Sequence, residues 1–201
     1  MTAHAHLPAP ERENDERDFQ PPPGEAKNVQ RMFLEAAERG CLSGLEQALQ
    51  HGVDVNHCDE SGRSAMFLAC WDGHLPVVQR LLQAGADAEL CDAEDTSPFS
   101  VACENGQIEV VRYLAKGRWR GLRSSASLCS IDPEKQDIDS CTPFFRACLG
   151  GRLEVVRFLA EDLEVNVQRM DKDGNSPFLV ACQEGHVDIV AYLALGAVSL
   201  A

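Results

Sequence analysis

With 201 residues, 44% of them hydrophobic, the chain carries enough apolar material for one ordered domain of ordinary size. Its net charge of -14 works against nucleic acids, whose binding depends on Lys and Arg neutralising phosphates, and favours a basic or neutral partner. The cysteine count is nine, an odd number, and no apolar signal stretch follows Met1; free thiols in a reducing intracellular compartment, cytoplasm or nucleus, fit better than a secreted disulfide framework. No apolar run approaches the roughly 20 residues needed to cross a bilayer.

Residues 1–28 are charged and rich in proline, with Leu7 and Phe19 almost the only large apolar side chains. Such a segment cannot offset its ordering entropy and is expected to be a disordered tail. After it the string Ala-Cys recurs in one frame, at Ala69-Cys70, Ala102-Cys103, Ala147-Cys148 and Ala181-Cys182, preceded by Ala36-Ala37. The marker alanines are spaced 33, 33, 45 and 34 residues apart, and a period near 33 means a stack of similar small units. The units run over about 29–58, 59–91, 92–117, 137–170 and 171–201, with an insertion at about 118–136.

Within each unit the same local physics repeats. Ser64, Ser97, Thr142 and Ser176 stand where a hydroxyl can cap a helix N-terminus, and Pro98, Pro143 and Pro177 follow at the first helical position. Gly73, Gly106, Gly151 and Gly185, three residues after each Cys, supply a left-handed stop. A second helix follows with Val77-Val78, Val110-Val111, Val155-Val156 or Ile189-Val190 and then Leu81, Leu114, Leu159 or Leu193, an apolar stripe at helical spacing. Helices this short are unstable alone, so each must bury its stripe against its neighbours.

These units resemble ankyrin repeats, most closely in Asp59-Glu-Ser-Gly62-Arg-Ser64, Gly73-His74, Ala84-Gly85-Ala86-Asp87, Asp171-Lys-Asp-Gly174-Asn-Ser176-Pro177 and Gly185-His186. The resemblance covers about 170 residues and implies an all-α solenoid of paired antiparallel helices with short β-hairpin or loop connections. The sequence departs from the pattern where the first helix usually has His: Phe67, Ser100, Phe145 and Leu179 stand there, which removes a polar tie between hairpins and puts stability in question. The last unit also lacks the polar outer face of a terminal repeat. Either the structured region continues or a partner covers that edge.

The cysteines are better candidates for packing than for chemistry. Cys70, Cys103, Cys148 and Cys182 fall at one repeat position, and neighbouring units roughly 10 Å apart are beyond disulfide or shared-zinc reach. They are expected to be small buried hydrophobes, as are Cys58 and Cys91, whereas Cys129 and Cys141, in or beside a loop, are the likeliest to be exposed. Asp171-x-Asp173-Gly-Asn175 begins like a calcium loop, yet its sixth and twelfth positions hold Ser176 and Cys182 instead of Gly and Glu. His74 and His186 are expected to be structural, and His4 could join a terminal copper or nickel site only if the new N-terminus stayed free. No nucleotide-binding, zinc-hydrolase or serine-hydrolase motif occurs, so no enzyme, cofactor or metal is expected.

What the resemblance implies about binding is a concave surface of hairpin tips and first-helix faces. By position it includes Glu60, Arg63, Trp71, Asp72, Glu94, Glu104, Asp139, Asp173 and Glu184. Its acidic excess would steer a basic, or mixed basic and apolar, segment of another protein. Trp71 is either a partner anchor or a ring resting on its own hairpin. The insertion opens with Arg118-Trp119-Arg120 in the only basic cluster of the chain, and three roles remain open for it: a tolerated flexible loop, a finger touching the partner with Trp119, or an internal latch onto the acidic groove. The expected function is therefore a non-catalytic protein-interaction module; a fragment or targeting subunit of an ankyrin-containing kinase or ubiquitin ligase, and an inhibitor masking a basic signal, are the alternatives.

Overall fold

Ser64 Oγ, Ser97 Oγ, Thr142 Oγ1 and Ser176 Oγ each accept the backbone N–H three residues on, from Phe67, Ser100, Phe145 and Leu179, at 3.1–3.2 Å. These caps set where the first helix of each unit begins in the computed structural model, which describes residues 26–116 and 131–199. The helix pairs are α1 (Ala26–Glu38) with α2 (Leu42–Gln50), α3 (Ala65–Asp72) with α4 (Leu75–Gln83), and α5 (Pro98–Asn105) with α6 (Ile108–Ala115). They continue with α7 (Pro143–Leu149) and α8 (Leu153–Arg157), then α9 (Pro177–Gln183) and α10 (Val187–Ser199). First helices stack in chain order, α1 on α3 on α5 on α7 on α9, and there is no strand among the described residues, only an isolated bridge between Cys58 and Ser64. Helix α1 starts at Ala26, just inside the stretch expected as tail; the rest of that tail lies outside the described residues.

The stop after each first helix does two jobs. Gly73 has φ 79°, and a Cβ built there would come within 2.2 Å of the Gln107 side chain. That side chain is close because it caps the helix behind it: Gln107 Nε2 donates to Trp71 O at 3.0 Å. His74 Nε2 lies 2.9 Å from Glu38 O, Arg152 Nε donates to Glu104 O at 3.0 Å, and His186 Nε2 lies 3.0 Å from Leu149 O. Three residue types thus satisfy the same orphan carbonyls at the ends of the preceding unit's first helix. His74 and His186 have the structural role expected of them.

The irregular segments are equally regular in their bonding. Oδ1 of Asp59, Asp92, Asp137 and Asp171 accepts the backbone N–H groups two and four residues on, all at 2.8–3.0 Å. Successive hairpins are joined by Ala93 N–H to Ser61 O at 3.0 Å, Ile138 N–H to Glu94 O at 3.1 Å and Lys172 N–H to Asp139 O at 2.9 Å. Just upstream, Asn56 Oδ1, Glu89 Oε1 and Glu134 Oε1 accept the N–H of Asp87, Asp132 and Asn166 in the next unit. Repeat register is therefore restored by Asp132, inside the stretch expected as insertion, so the extra residues are narrower than 118–136. Arg118, Trp119, Arg120 and Cys129 lie outside the described residues.

Phe33, Met66, Phe99 and Phe144 share one register position, all at most 1% exposed, and Val77-Val78, Val110-Val111 and Val155-Val156 close the second layer. Phe67 and Phe145 replace the usual polar tie with buried rings, while buried Ser100 Oγ has no hydrogen-bond partner among the described residues. Cys70, Cys103 and Cys148 are fully buried as expected. Four cysteine expectations need correction: Cys58 and Cys91 are only half-buried, at the base of their hairpins with their thiols directed at the backbone oxygens of Asn56 and Glu89. Cys141 is buried, because its N–H is pulled against Asp137 at the hairpin base. Cys182 is exposed, because no described unit stacks beyond α9.

The interval of 34 residues has a structural cause. The stretch from Gly151 to Glu164 is one residue longer than those from Gly40 to Gly52 and Gly73 to Gly85, and a π-helical turn at Phe158–Asp162 absorbs the excess. Glu164 consequently takes the left-handed stop, φ 52°, that glycines take elsewhere. Glu164→Gly is expected to raise stability by about 1 kcal/mol, read as a higher urea midpoint, since a non-glycine residue there carries conformational strain of that order.

Candidate interaction surface

Because each hairpin is held by its own Asp and bonded to the next, residues at the tips form one connected row. Glu94 and Asp139 are brought together by the Ile138 to Glu94 backbone bond, and Lys172 extends the row to Asp173. A second row lies at the ends of the first helices, where Trp71, Asp72, Glu104 and Glu184 follow the marker alanines.

Not every candidate charge is free. Arg63 lies 2.7 Å from Asp59 in its own hairpin, Asp139 is held by Lys172 at 2.6 Å, and Glu104 is held by Arg146 at 3.3 Å. Burial alone would raise the Asp59 carboxyl, but hydrogen bonds from Arg63 and the backbone N–H groups of Arg63 and Ser61 bring it below its ordinary value. The hydrogen bond to Asp139 raises the Lys172 ammonium. Glu60, Asp72, Glu94, Asp173 and Glu184 make no ion pair among the described residues.

Trp71 is 46% exposed although its ring leans on Phe67, centroids 6.1 Å apart at 41°. The indole rests on its own helix rather than on its hairpin, and about half of its surface stays exposed. Trp119 lies outside the described residues.

Two features of this region escaped the sequence reading. Asp95 and Ser140 occupy left-handed tip positions, φ 56° and 61°, where Gly62 and Gly174 stand in other units. Arg146, at a first-helix position held by Glu35, Leu68, Val101 and Val180 in the other units, reaches Asp137 at 2.6 Å and Glu104. Aligning the units exposes the first; the second needs the distance between side chains.

Nucleophilic chemistry finds no support in the buried thiols. Burial pushes Cys148 up to about 12, and burial with the nearby Asp137 carboxylate does the same for Cys141; burial also holds Cys70 and Cys103 well above the ordinary thiol value. A thiol held there is not a thiolate near neutral pH. Among the described residues no group of three or more His, Cys, Asp or Glu is placed to hold a metal ion, and no helix is long and apolar enough to cross a membrane.

Comparison with known proteins places the chain. The ankyrin-repeat family model matches residues 33–120 and 122–199. Osteoclast-stimulating factor 1 of Rattus norvegicus is 38% identical over 55 residues, 27% of this chain and 26% of that protein. The protein of the same name from Gallus gallus is 39% identical over 54 residues, 27% of each chain, and that from Danio rerio is 36% identical over 55 residues, 27% of this chain and 26% of it. The matched segment spans about a quarter of those relatives' length. Register, caps, interlocked hairpins and a family match over most of its length agree that the chain belongs to the ankyrin repeat family.

Proposed function

We propose that the chain is a non-catalytic interaction module that docks a basic, or mixed basic and apolar, segment of another protein along its hairpin tips and first-helix ends, the concave side of the array. The observation that carries this reading is the half-exposed Trp71, next to Asp72, whose carboxylate makes no ion pair among the described residues. An aromatic side chain anchored at its base loses little rotamer freedom on binding, and Trp is enriched among residues that dominate interface energy. Glu60, Asp72, Glu94, Asp173 and Glu184 supply charge that accelerates encounter with a cationic partner and should make association fall with added salt.

Trp71→Ala is expected to weaken capture of such a partner by at least about tenfold while leaving the thermal midpoint nearly unchanged, because the indole lies outside the core. Affinity purification with wild-type and Trp71→Ala baits side by side, followed by titration of the captured protein, makes the measurement. An affinity unaltered by the substitution removes Trp71 from the site.

A further inference from the structure

Charge is sorted along the row of hairpin tips and first-helix ends. In repeats two and three the exposed Glu60, Asp72, Glu94 and Asp95 make no ion pair among the described residues, and Arg63 is committed to Asp59 in its own hairpin at 2.7 Å. Repeat four reverses the pattern. Arg146 is shared between Asp137 and Glu104, while Lys172 holds Asp139 at 2.6 Å and is also drawn by Asp173. The residue that this tip presents is Ile138, 56% exposed, at the register of Glu60, Ala93 and Lys172. On the first helix the register of Trp71 and Asp72 passes to half-buried Leu149 and to Gly150, which has no side chain.

The two halves adjoin, because Ile138 N–H is bonded to Glu94 O at 3.1 Å. They accept different side chains. A lysine or arginine laid over repeat four would meet carboxylates that already have their cations, and an apolar side chain laid over repeats two and three would strip water from carboxylates and give nothing back. An apolar side chain over Ile138 removes exposed apolar surface from water without that cost. Neighbouring first helices pack about 10 Å apart and an extended chain advances about 3.3 Å per residue, so about three partner residues span one repeat.

We propose that this surface reads one polarity: an extended segment of a partner protein sets Arg or Lys over repeats two and three and, about three residues on, an apolar side chain over Ile138 and Leu149 of repeat four. An arginine is the best fit beside Asp72, where its guanidinium can also lie over the Trp71 ring. This inference rests on the docking of a basic or mixed segment proposed above and adds the order in which its basic and apolar residues fall along the array.

The test titrates the full chain against labelled synthetic peptides, read by fluorescence anisotropy. Each carries an arginine block and a leucine block separated by about three Gly or Ser residues, made in both chain directions, beside a peptide of the same composition with Arg and Leu interleaved. One block peptide should bind at least about tenfold more tightly than the interleaved one. Glu60→Lys with Glu94→Lys should weaken it at least about tenfold and flatten its loss with added salt, whereas Ile138→Ser should weaken it about fivefold and leave the salt dependence unchanged. All three positions are exposed, so the urea midpoint of the free chain should stay in place. The Ile138→Ser effect should vanish when the peptide's leucines are replaced by serine, a coupling that only direct contact produces. An interleaved peptide bound as tightly as either block peptide overturns the proposal, as does an Ile138→Ser loss that persists without the leucines. Either result, with binding still weakened by Trp71→Ala, removes the polarity and leaves the docking surface; binding indifferent to Trp71→Ala and to Glu60→Lys with Glu94→Lys removes both. Binding tightened at least about tenfold by Arg118→Glu with Arg120→Glu would assign the surface to the chain's own basic stretch, and a light-scattering mass of two chains that falls to one on adding peptide would assign it to a second copy. Each of these overturns the proposal.

Discussion

Replacing Gly150 by alanine is expected to destabilise the protein by about 3 kcal/mol, near the top of the range for overpacking a close contact. The reason is not backbone freedom, since Gly150 has an ordinary helical φ of -75°. A Cβ at this position would stand 2.1 Å from the carbonyl oxygen of Glu104 in the preceding unit. That oxygen cannot step aside cheaply, because it accepts Arg152 Nε at 3.0 Å and belongs to the end of α5. The register equivalents Asp72, Asn105 and Glu184 all carry side chains, so the demand is local to the seam between repeats three and four. Gly52→Ala is the contrasting case: nothing lies within 4 Å of its Cβ, and only the left-handed φ of 72° is penalised, at about 1 kcal/mol. Urea unfolding followed by circular dichroism gives both values. In a quasi-one-dimensional array a weakened seam should also broaden the transition, as the units on either side lose nearest-neighbour coupling. A Gly150→Ala midpoint equal to that of Gly52→Ala would show that the seam has slack.

The contrast shows which parts of the structure a sequence can display. The caps at Ser64, Ser97, Thr142 and Ser176, and the glycine stops, depend on atoms three or four residues apart, so repetition alone reveals them. Trp71 could be singled out because register places it outside the apolar stripe. Gly150 is different, because its constraint is a carbonyl in another unit, and the same register position tolerates Asp, Asn and Glu elsewhere. Cys182 breaks the burial of its class for a reason absent from its own neighbourhood: burial at that position is conferred by the following layer. The resumption of register by Asp132 was hidden because this segment shares few side chains with its equivalents, although its backbone N–H finds Glu89 just as Asp87 finds Asn56.

Truncating Arg146 to alanine is expected to cost about 3 kcal/mol or more, because it leaves a buried carboxylate without its cation. The Asp137 side chain is 1% exposed, and its Oδ2 accepts Arg146 Nε at 2.8 Å and Nη2 at 2.6 Å. Its Oδ1 is committed to Asp139 and Cys141 N–H, so no donor on the hairpin is free to replace the guanidinium. Arg146 Nη1 also reaches Glu104 Oε2 at 3.3 Å, which ties hairpin four to the same residue whose carbonyl excludes a side chain at Gly150. Around this point Lys135 meets Glu89 and the Arg112 guanidinium lies 5.0 Å from the Phe158 ring centre. The seam that the chain crosses through its insertion is thus among the most heavily bonded within the described residues. If the penalty comes from the stranded charge rather than from lost packing, Arg146→Leu combined with Asp137→Asn should recover a large part of it, since a buried neutral amide costs less to leave partly unpaired than a buried carboxylate. Urea midpoints for Arg146→Ala, Arg146→Leu, Asp137→Asn and the double variant close the cycle. A double variant no more stable than Arg146→Leu alone would locate the cost in the Glu104 contact, and the seam would then be held by that ion pair rather than by the hairpin aspartate.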